Sequence, residues 1–149
     1  MFFRNSIVVL ILGISAVSWN KASAQITGDF VVFEQKVNNV VATSYDAGNT
    51  LKVRIAGGAS SPASSPDTML RARIEVYDTN CNLIAAPIAT TPLAHGTMET
   101  ISLEYPWTAP NPLNGQNTYY IIVTLYYIDA MDMEVWLATD DAEFNHPTM

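Results

Sequence analysis

A period-two alternation of apolar and polar side chains constrains the fold of this chain more than any other feature of its sequence. Residues 51–55 alternate strictly between apolar and basic side chains, and residues 70–77 continue the pattern over a longer stretch. Residues 118–128 are dense in Tyr, Ile and Val, which favour extended backbone. Helical periodicity is weak in the same regions, so the pattern predicts antiparallel strands that bury one face and expose the other.

Turn-forming residues separate these runs and set the expected number of strands at about seven. Pro87 marks one of them as an edge strand, since proline cannot donate a backbone hydrogen bond, and Pro106 is predicted to end another. The stretch Ala56–Thr68, rich in Gly, Ala, Ser and Pro, is predicted to be a mobile surface loop. The spacing therefore predicts an all-β fold, a two-sheet antiparallel sandwich. The expected strands are Phe30–Val37, Leu51–Ile55, Leu70–Tyr77, Leu83–Ile88, Met98–Tyr105, Thr118–Ile128 and Met133–Thr139.

The first 24 residues have the layout of a secretory signal peptide. Arg4 precedes an apolar run from Ile7 to Val17, and the small residues Ala22-Ser23-Ala24 stand just before Gln25. An apolar run of about 11 residues is well short of the ~20 that a membrane-spanning helix needs. We therefore expect cleavage after Ala24 and a mature protein without a membrane span, secreted, periplasmic or at the cell surface.

Residues 25–149 are predicted to form a single acidic domain. The leader holds Arg4 and Lys21, so five Lys and Arg remain against 14 Asp and Glu. About 125 residues are enough for one domain with its own hydrophobic core. An acidic surface repels phosphate, which excludes nucleic acid as a partner.

Cys81 is the lone cysteine of the chain, so no intrachain disulfide can form. It lies in an Asx-rich turn, Asp78–Asn82, which predicts an exposed position. Two interpretations stay open: an unreactive thiol, or a disulfide between two chains.

Two segments resemble immunoglobulin-like modules of bacterial proteins and fibronectin type III domains. Residues 113–125, with a Leu, a Gly-containing turn and then Tyr-x-Ile-x-Val, are similar to the penultimate strand of those modules. Residues 101–110 are similar to their strand with a Trp-Thr-x-Pro exit. The resemblance implies an immunoglobulin-like sandwich in which Tyr119 is the corner tyrosine, its hydroxyl bonded to upstream backbone. It departs from the family in having no Trp between residues 50 and 76, and it implies no activity.

The residues for catalysis are scarce, and we expect neither an enzyme nor a cofactor site. His95 lies in a loop and His146 lies three residues from the carboxyl terminus. The sequence has no G-x-S-x-G motif, and Cys81 has no basic neighbour in sequence. A small secreted hydrolase is the alternative, and it requires a cavity that holds His95 with a carboxylate within about 3 Å.

Two groups of acidic residues could suggest calcium binding, but neither predicts a metal site. Residues 78–82 begin like a calcium loop, but Leu83 and Ala89 replace its required Gly and bidentate Glu. Acidic residues also cluster at 129–134 and at 140–143, the second group following the last predicted strand. The strand between them spans about 26 Å, so the two groups cannot share one ion.

The strand 118–128 is apolar on both faces, which is unusual for a sandwich strand whose outer face meets water. If Tyr119 points into the core, alternate residues point outward and join an outward Trp on the last strand. This surface is the candidate interaction patch, for a partner protein, a second copy or a glycan. The competing interpretation is that the segment Ile26–Val41 folds across it. The patch consists of Tyr120, Ile122, Tyr126 and Trp136.

The sequence thus predicts an exported, non-catalytic immunoglobulin-like module with a role in protein interaction, adhesion or structure. A carbohydrate- or calcium-dependent binding module is the first alternative, and the hydrolase is the second.

Overall fold

Nine β-strands and no helix are formed by residues 25–110 and 117–147, the part of the chain that the computed structural model describes. No helix in this part is long and apolar enough to span a membrane. The predicted leader and residues 111–116 lie outside it. The strands are β1 (Thr27–Val37), β2 (Val40–Val41), β3 (Thr50–Ser60), β4 (Thr68–Tyr77), β5 (Leu83–Ala85), β6 (Ile88–Leu93), β7 (Met98–Thr108), β8 (Thr118–Ile128) and β9 (Glu134–Asn145).

The strands form two antiparallel sheets, which confirms the predicted all-β architecture. Sheet A has the order β2-β1-β3-β7. Sheet B has the order β5-β4-β8-β9, and β6 also pairs with β4, beside β5. After β2 the chain reaches sheet B, where Ser44 forms a parallel bridge with Asn145 of β9.

The core lies between the sheets and is built from alternate residues of the central strands, as the period-two pattern predicted. Each of these side chains is fully buried, which stabilises the fold by about 1.5–3 kcal/mol per large side chain. They include Leu51, Val53 and Ile55 of β3, Leu70, Ile74 and Val76 of β4, and Ile121, Val123 and Leu125 of β8.

Aromatic rings close one end of this core. Trp107 packs edge-on against Tyr119 and Phe144, with ring centres 5.5 and 5.6 Å apart, and Tyr45 lies 5.6 Å from Tyr119. Burial raises the pKa of Tyr119 to about 12. The predicted corner bond of Tyr119 involves the upstream backbone, much of which lies outside the described residues.

The predicted loop Ala56–Thr68 is wrong over its first five residues, because β3 continues to Ser60. The small residues are needed there for close strand contact. A Cβ on Gly57 would lie 2.9 Å from the carbonyl oxygen of Asp29 and 3.2 Å from Leu125 Cδ2. Loop structure is confined to residues 61–67.

The prediction that Pro106 ends its strand is wrong, because β7 continues to Thr108. The strand tolerates proline since β7 is an edge strand of sheet A. The Ala109 N–H donates to the Asn49 carbonyl, 2.9 Å away. Since bonded and non-bonded pairs alternate along an antiparallel ladder, Pro106 falls in a non-bonded pair with Lys52. Its missing N–H therefore faces away from β3, and pairing continues to Thr108.

Two other boundaries differ from the predicted ones. The expected strand Leu83–Ile88 is divided at Pro87 into β5 and β6, both of which pair with β4. The last strand runs to Asn145 rather than Thr139, so the acidic residues 140–143 lie within it. Ala142 and Phe144 pack on the core between these outward side chains, which keeps the strand extended.

Candidate interaction face on sheet B

The outer face of sheet B is ordered in rows across β4, β8 and β9. Arg71, Tyr126 and Trp136 form one row, and Arg73, Thr124 and Thr139 form the next. Two further rows follow in the same direction: Glu75, Ile122 and Asp141, then Tyr77, Tyr120 and Glu143. All four residues of the predicted patch therefore lie on this face.

Three of the four patch residues reach solvent. Trp136 is 60% exposed, and Tyr120 and Ile122 are each 37% exposed. The segment Ile26–Val41, the alternative cover for these rings, contributes β1 and β2 to sheet A, and its first residues, 26–28, line a small pocket beside Trp136. The patch is thus left open by the part of the chain that the structure describes.

Tyr126 is the exception: it lies on the outer face but is only 1% exposed, so the prediction of an exposed ring is wrong there. The guanidinium of Arg73 lies 5.0 Å from the centre of the Tyr126 ring and covers it. A cation held over an aromatic face is attracted by the negative potential of the ring. The covering group comes from the neighbouring strand, so alternation along β8 gives no sign of it.

Arg73 is held over the ring by ion pairs on both sides. Its Nη1 donates to Glu134 Oε1 at 2.9 Å, and its Nε lies 3.4 Å from Glu75 Oε2. Burial disfavours the charge of Arg73, but the hydrogen bond to Glu134 and the charge of Glu75 outweigh it and raise the pKa of the guanidinium. The hydrogen bond from Arg73 in turn lowers the pKa of Glu134.

Glu134 also fixes the exposed indole. The Trp136 Nε1–H donates to Glu134 Oε2, with 3.2 Å between the atoms. The Tyr126 ring, Arg73, Glu134 and Trp136 are therefore one connected set, which we call the Arg73 clamp. It holds Trp136 in place before anything binds, so little side-chain entropy remains to be lost on binding.

The two ends of the face differ in charge. Arg71, Arg73 and Glu134 lie at the Trp136 end, whereas Glu75, Asp141 and Glu143 lie at the Tyr120 end. Among the described residues, Arg71, Asp141 and Glu143 form no ion pair. The Nε atom of Arg71 is buried and has no hydrogen-bond partner within the same part of the chain.

The sheet edges are poorly suited to pairing with another chain. A bulge near Val31 interrupts β1, and a register shift at Leu125/Tyr126 interrupts the pairing of β9. Pro92 and Pro106 remove donors from the edge strands β6 and β7. Such features disfavour edge-to-edge pairing, which makes the faces and loops the better candidates for binding surfaces.

The histidines do not meet in a catalytic arrangement. His95 Nδ1 lies 2.7 Å from Asp67 Oδ1, but both side chains are exposed. A cavity of about 350 Å³ at that end of the sandwich is lined by Asp67, Ser64 and Ser65, and His95 is not part of its wall. His146 packs against the Tyr45 ring. The carboxylate contact needed for a hydrolase is therefore present, but its imidazole is exposed and is not part of the cavity wall.

The calcium-like segment is a hairpin turn. Asp78 Oδ1 accepts the backbone N–H groups of Asn80 and Asn82 at 2.8 and 2.9 Å. Asp129 Oδ1 does the same for Met131 and Met133. These carboxylates are engaged by the backbone, and the described residues contain no group of three or more His, Cys, Asp or Glu that could hold a metal ion.

Neither a protein-family model nor a curated protein matches the sequence. Among solved structures, the chain is similar to the C-terminal domain of Wzt, with a TM-score of 0.53 and 8% identity over 84% of this chain and 76% of that one. It is also similar to the CARDB domain of a Pyrococcus furiosus protein, solved with di-metal ions (TM-score 0.46, 14% identity, 83% of this chain and 88% of that one). A third similarity is to Bacteroides uniformis beta-glucuronidase (TM-score 0.44, 15% identity, 79% of this chain), of which it spans 12%.

The likeness to the Wzt domain shows the fold alone, because the identity is so low. It places this chain among β-sandwich domains, in agreement with the two antiparallel sheets.

Proposed function

We propose that this protein is an exported, non-catalytic, immunoglobulin-like module that binds a protein partner through the outer face of sheet B. The observation that carries the proposal is Trp136, a large apolar side chain that is mostly exposed and yet held in place by the Arg73 clamp. An exposed indole costs solubility, and fixing its position reduces the entropy lost when a partner covers it.

The strand order supports the immunoglobulin-like assignment. In immunoglobulin domains the second strand lies between the first and the fifth, and the sixth lies between the third and the last. Here β3 lies between β1 and β7, and β8 lies between β4 and β9. The two short strands β5 and β6 occupy the edge beside β4, where such domains vary most.

The proposal of export rests on the leader of residues 1–24, and the proposal of a non-catalytic module rests on the exposed position of His95, which is not part of the cavity wall. A role as a binding module also agrees with the blunted sheet edges, which favour docking through a face.

Site-specific photo-crosslinking tests the proposed surface. A photoreactive amino acid replaces Trp136 in one variant and Thr100 of sheet A in a control, and both are produced with the native leader in a secreting host. The expected result is a discrete adduct from position 136 alone, whose partner is identified by mass spectrometry and then binds the purified protein but not the Trp136→Ala variant. Equal labelling from both positions, or unchanged binding of Trp136→Ala, overturns the proposal.

A further inference from the structure

We propose that the partner seated on the outer face of sheet B is a second copy of this chain, related to the first by a two-fold axis that passes near Thr124. The inference rests on the proposed function, since it names the occupant of the same face. It follows from the distribution of charge across the rows of the sheet.

The register places Thr124 midway between two residues of opposite charge. Thr124 pairs with Arg73 on one side and with Thr139 on the other. Arg71 lies one row from Arg73 in one direction, and Asp141 lies one row from Thr139 in the opposite direction. A two-fold axis lying between the two faces over Thr124 can therefore exchange these positions, so that Arg71 of each copy meets Asp141 of the other.

Neither member of this exchange forms an ion pair within the described chain, although the charge of Arg71 acts on Glu134. Arg71 forms no ion pair, and its buried Nε atom has no hydrogen-bond partner. Asp141 forms no ion pair either, and the uncompensated Glu143 lies next to it on the same face. An isologous interface repeats each contact twice, so one complementary pair supplies two ion pairs.

The apolar residues are arranged to fit the same axis. Trp136 lies in the row of Arg71, one row from Thr124, and so comes close to its own symmetry mate. The outer face of sheet B is four strands wide and about 30 Å long, which gives a flat projected area of roughly 500 Å². Standard interfaces bury about 800 Å² per partner, so this face lies toward the small end of the range and we expect a weak association.

The charge pattern favours a second copy over a purely basic partner. A basic partner would pair with Asp141 and Glu143 but would bring its cations against Arg71. A second copy pairs Arg71 of each chain with Asp141 of the other, so both positions are satisfied at once.

Sedimentation equilibrium of the mature protein at 5 to 500 µM, in low salt, tests the proposal. The native chain is expected to dimerise, and Arg71→Asp or Asp141→Arg alone to raise the dimer dissociation constant more than tenfold. The double variant Arg71→Asp with Asp141→Arg is expected to restore dimerisation, because the axis pairs the exchanged charges again. Matched controls with the same charge changes elsewhere, Arg54→Asp and Asp46→Arg, are expected to leave the dimer intact. Circular dichroism confirms that each variant is folded.

A native chain that stays monomeric at 500 µM overturns the self-docking inference and leaves the proposed function to the crosslinking test. A dimer that is unaffected by both single variants, or that the double variant does not restore, places the contact elsewhere and also overturns it. Absence of crosslinking from position 136 in a chain that still dimerises places the dimer contact on another surface and overturns both proposals.

Discussion

The guanidinium of Arg73 covers the ring of Tyr126 from a distance of 5.0 Å and thereby converts an outward-facing tyrosine into a buried one. The same guanidinium reaches Glu134, which binds the indole N–H of Trp136. One arginine on β4 therefore determines which aromatic ring of the face is covered and which is presented to solvent.

Replacing Arg73 by Ala is expected to uncover Tyr126 and release Trp136. We expect a loss of about 1–2 kcal/mol in the free energy of unfolding, from the cation–π contact and the ion pair together. Urea unfolding followed by circular dichroism measures this. Arg73→Met is the control, because it keeps an aliphatic side chain and removes the charge. We expect an equal loss of stability in both variants, which would assign the loss to the charge. No loss in Arg73→Ala would contradict the role of the clamp.

Stability is expected to depend on Glu134 at acid pH. The hydrogen bond from Arg73 lowers the pKa of Glu134 below its usual 4.5 in the folded state. The folded carboxyl then binds fewer protons than the unfolded one, so its contribution is complete above pH 4.5 and is lost as the pH falls through the lower, folded pKa. The urea midpoint of the native chain should therefore fall more steeply than that of Glu134→Gln below about pH 5. Parallel curves for the two proteins would show that the bond does not stabilise the fold.

Glycine at position 81 is expected to stabilise the protein. Cys81 adopts a left-handed backbone conformation with φ of 62°, and Asp132 does so with the same φ in the equivalent turn. Side chains with a Cβ are strained there, so Cys81→Gly should raise the free energy of unfolding by about 0.5–1 kcal/mol. Asn80→Gly, in the same turn but without a positive φ, is the control and should not stabilise. A non-reducing gel of the native chain tests in addition whether Cys81 pairs two chains.

The close approach of β3 to β1 is expected to make Gly57 intolerant of a side chain. Gly57→Ala brings a Cβ within 2.9 Å of the Asp29 carbonyl, whereas Gly58→Ala brings one only to 3.3 Å from the Glu99 carbonyl. We expect a loss of about 1–3 kcal/mol for the first and a smaller loss for the second. Thermal unfolding of the two variants makes the comparison, and equal melting temperatures would contradict it.

Alternation along single strands predicted the parts of the fold that depend on local sequence. Strand β8 begins and ends at the predicted residues. Trp136 lies opposite Tyr126 in the register and faces outward, as expected. Alternation did not predict the strand at Gly57, because glycine has no side chain to mark it as buried. The close contact of β3 with β1 nevertheless requires glycine at that position. Alternation failed at Tyr126 for a related reason, because the covering Arg73 comes from another strand and only the register shows that the two meet.

The interrupted edges have a consequence for the protein at high concentration. A stacked ribbon of many chains needs uninterrupted rows of free N–H and C=O groups, and Pro106, Pro92 and the bulge near Val31 break those rows. The folded chain is therefore expected to resist stacking into fibrils at high concentration.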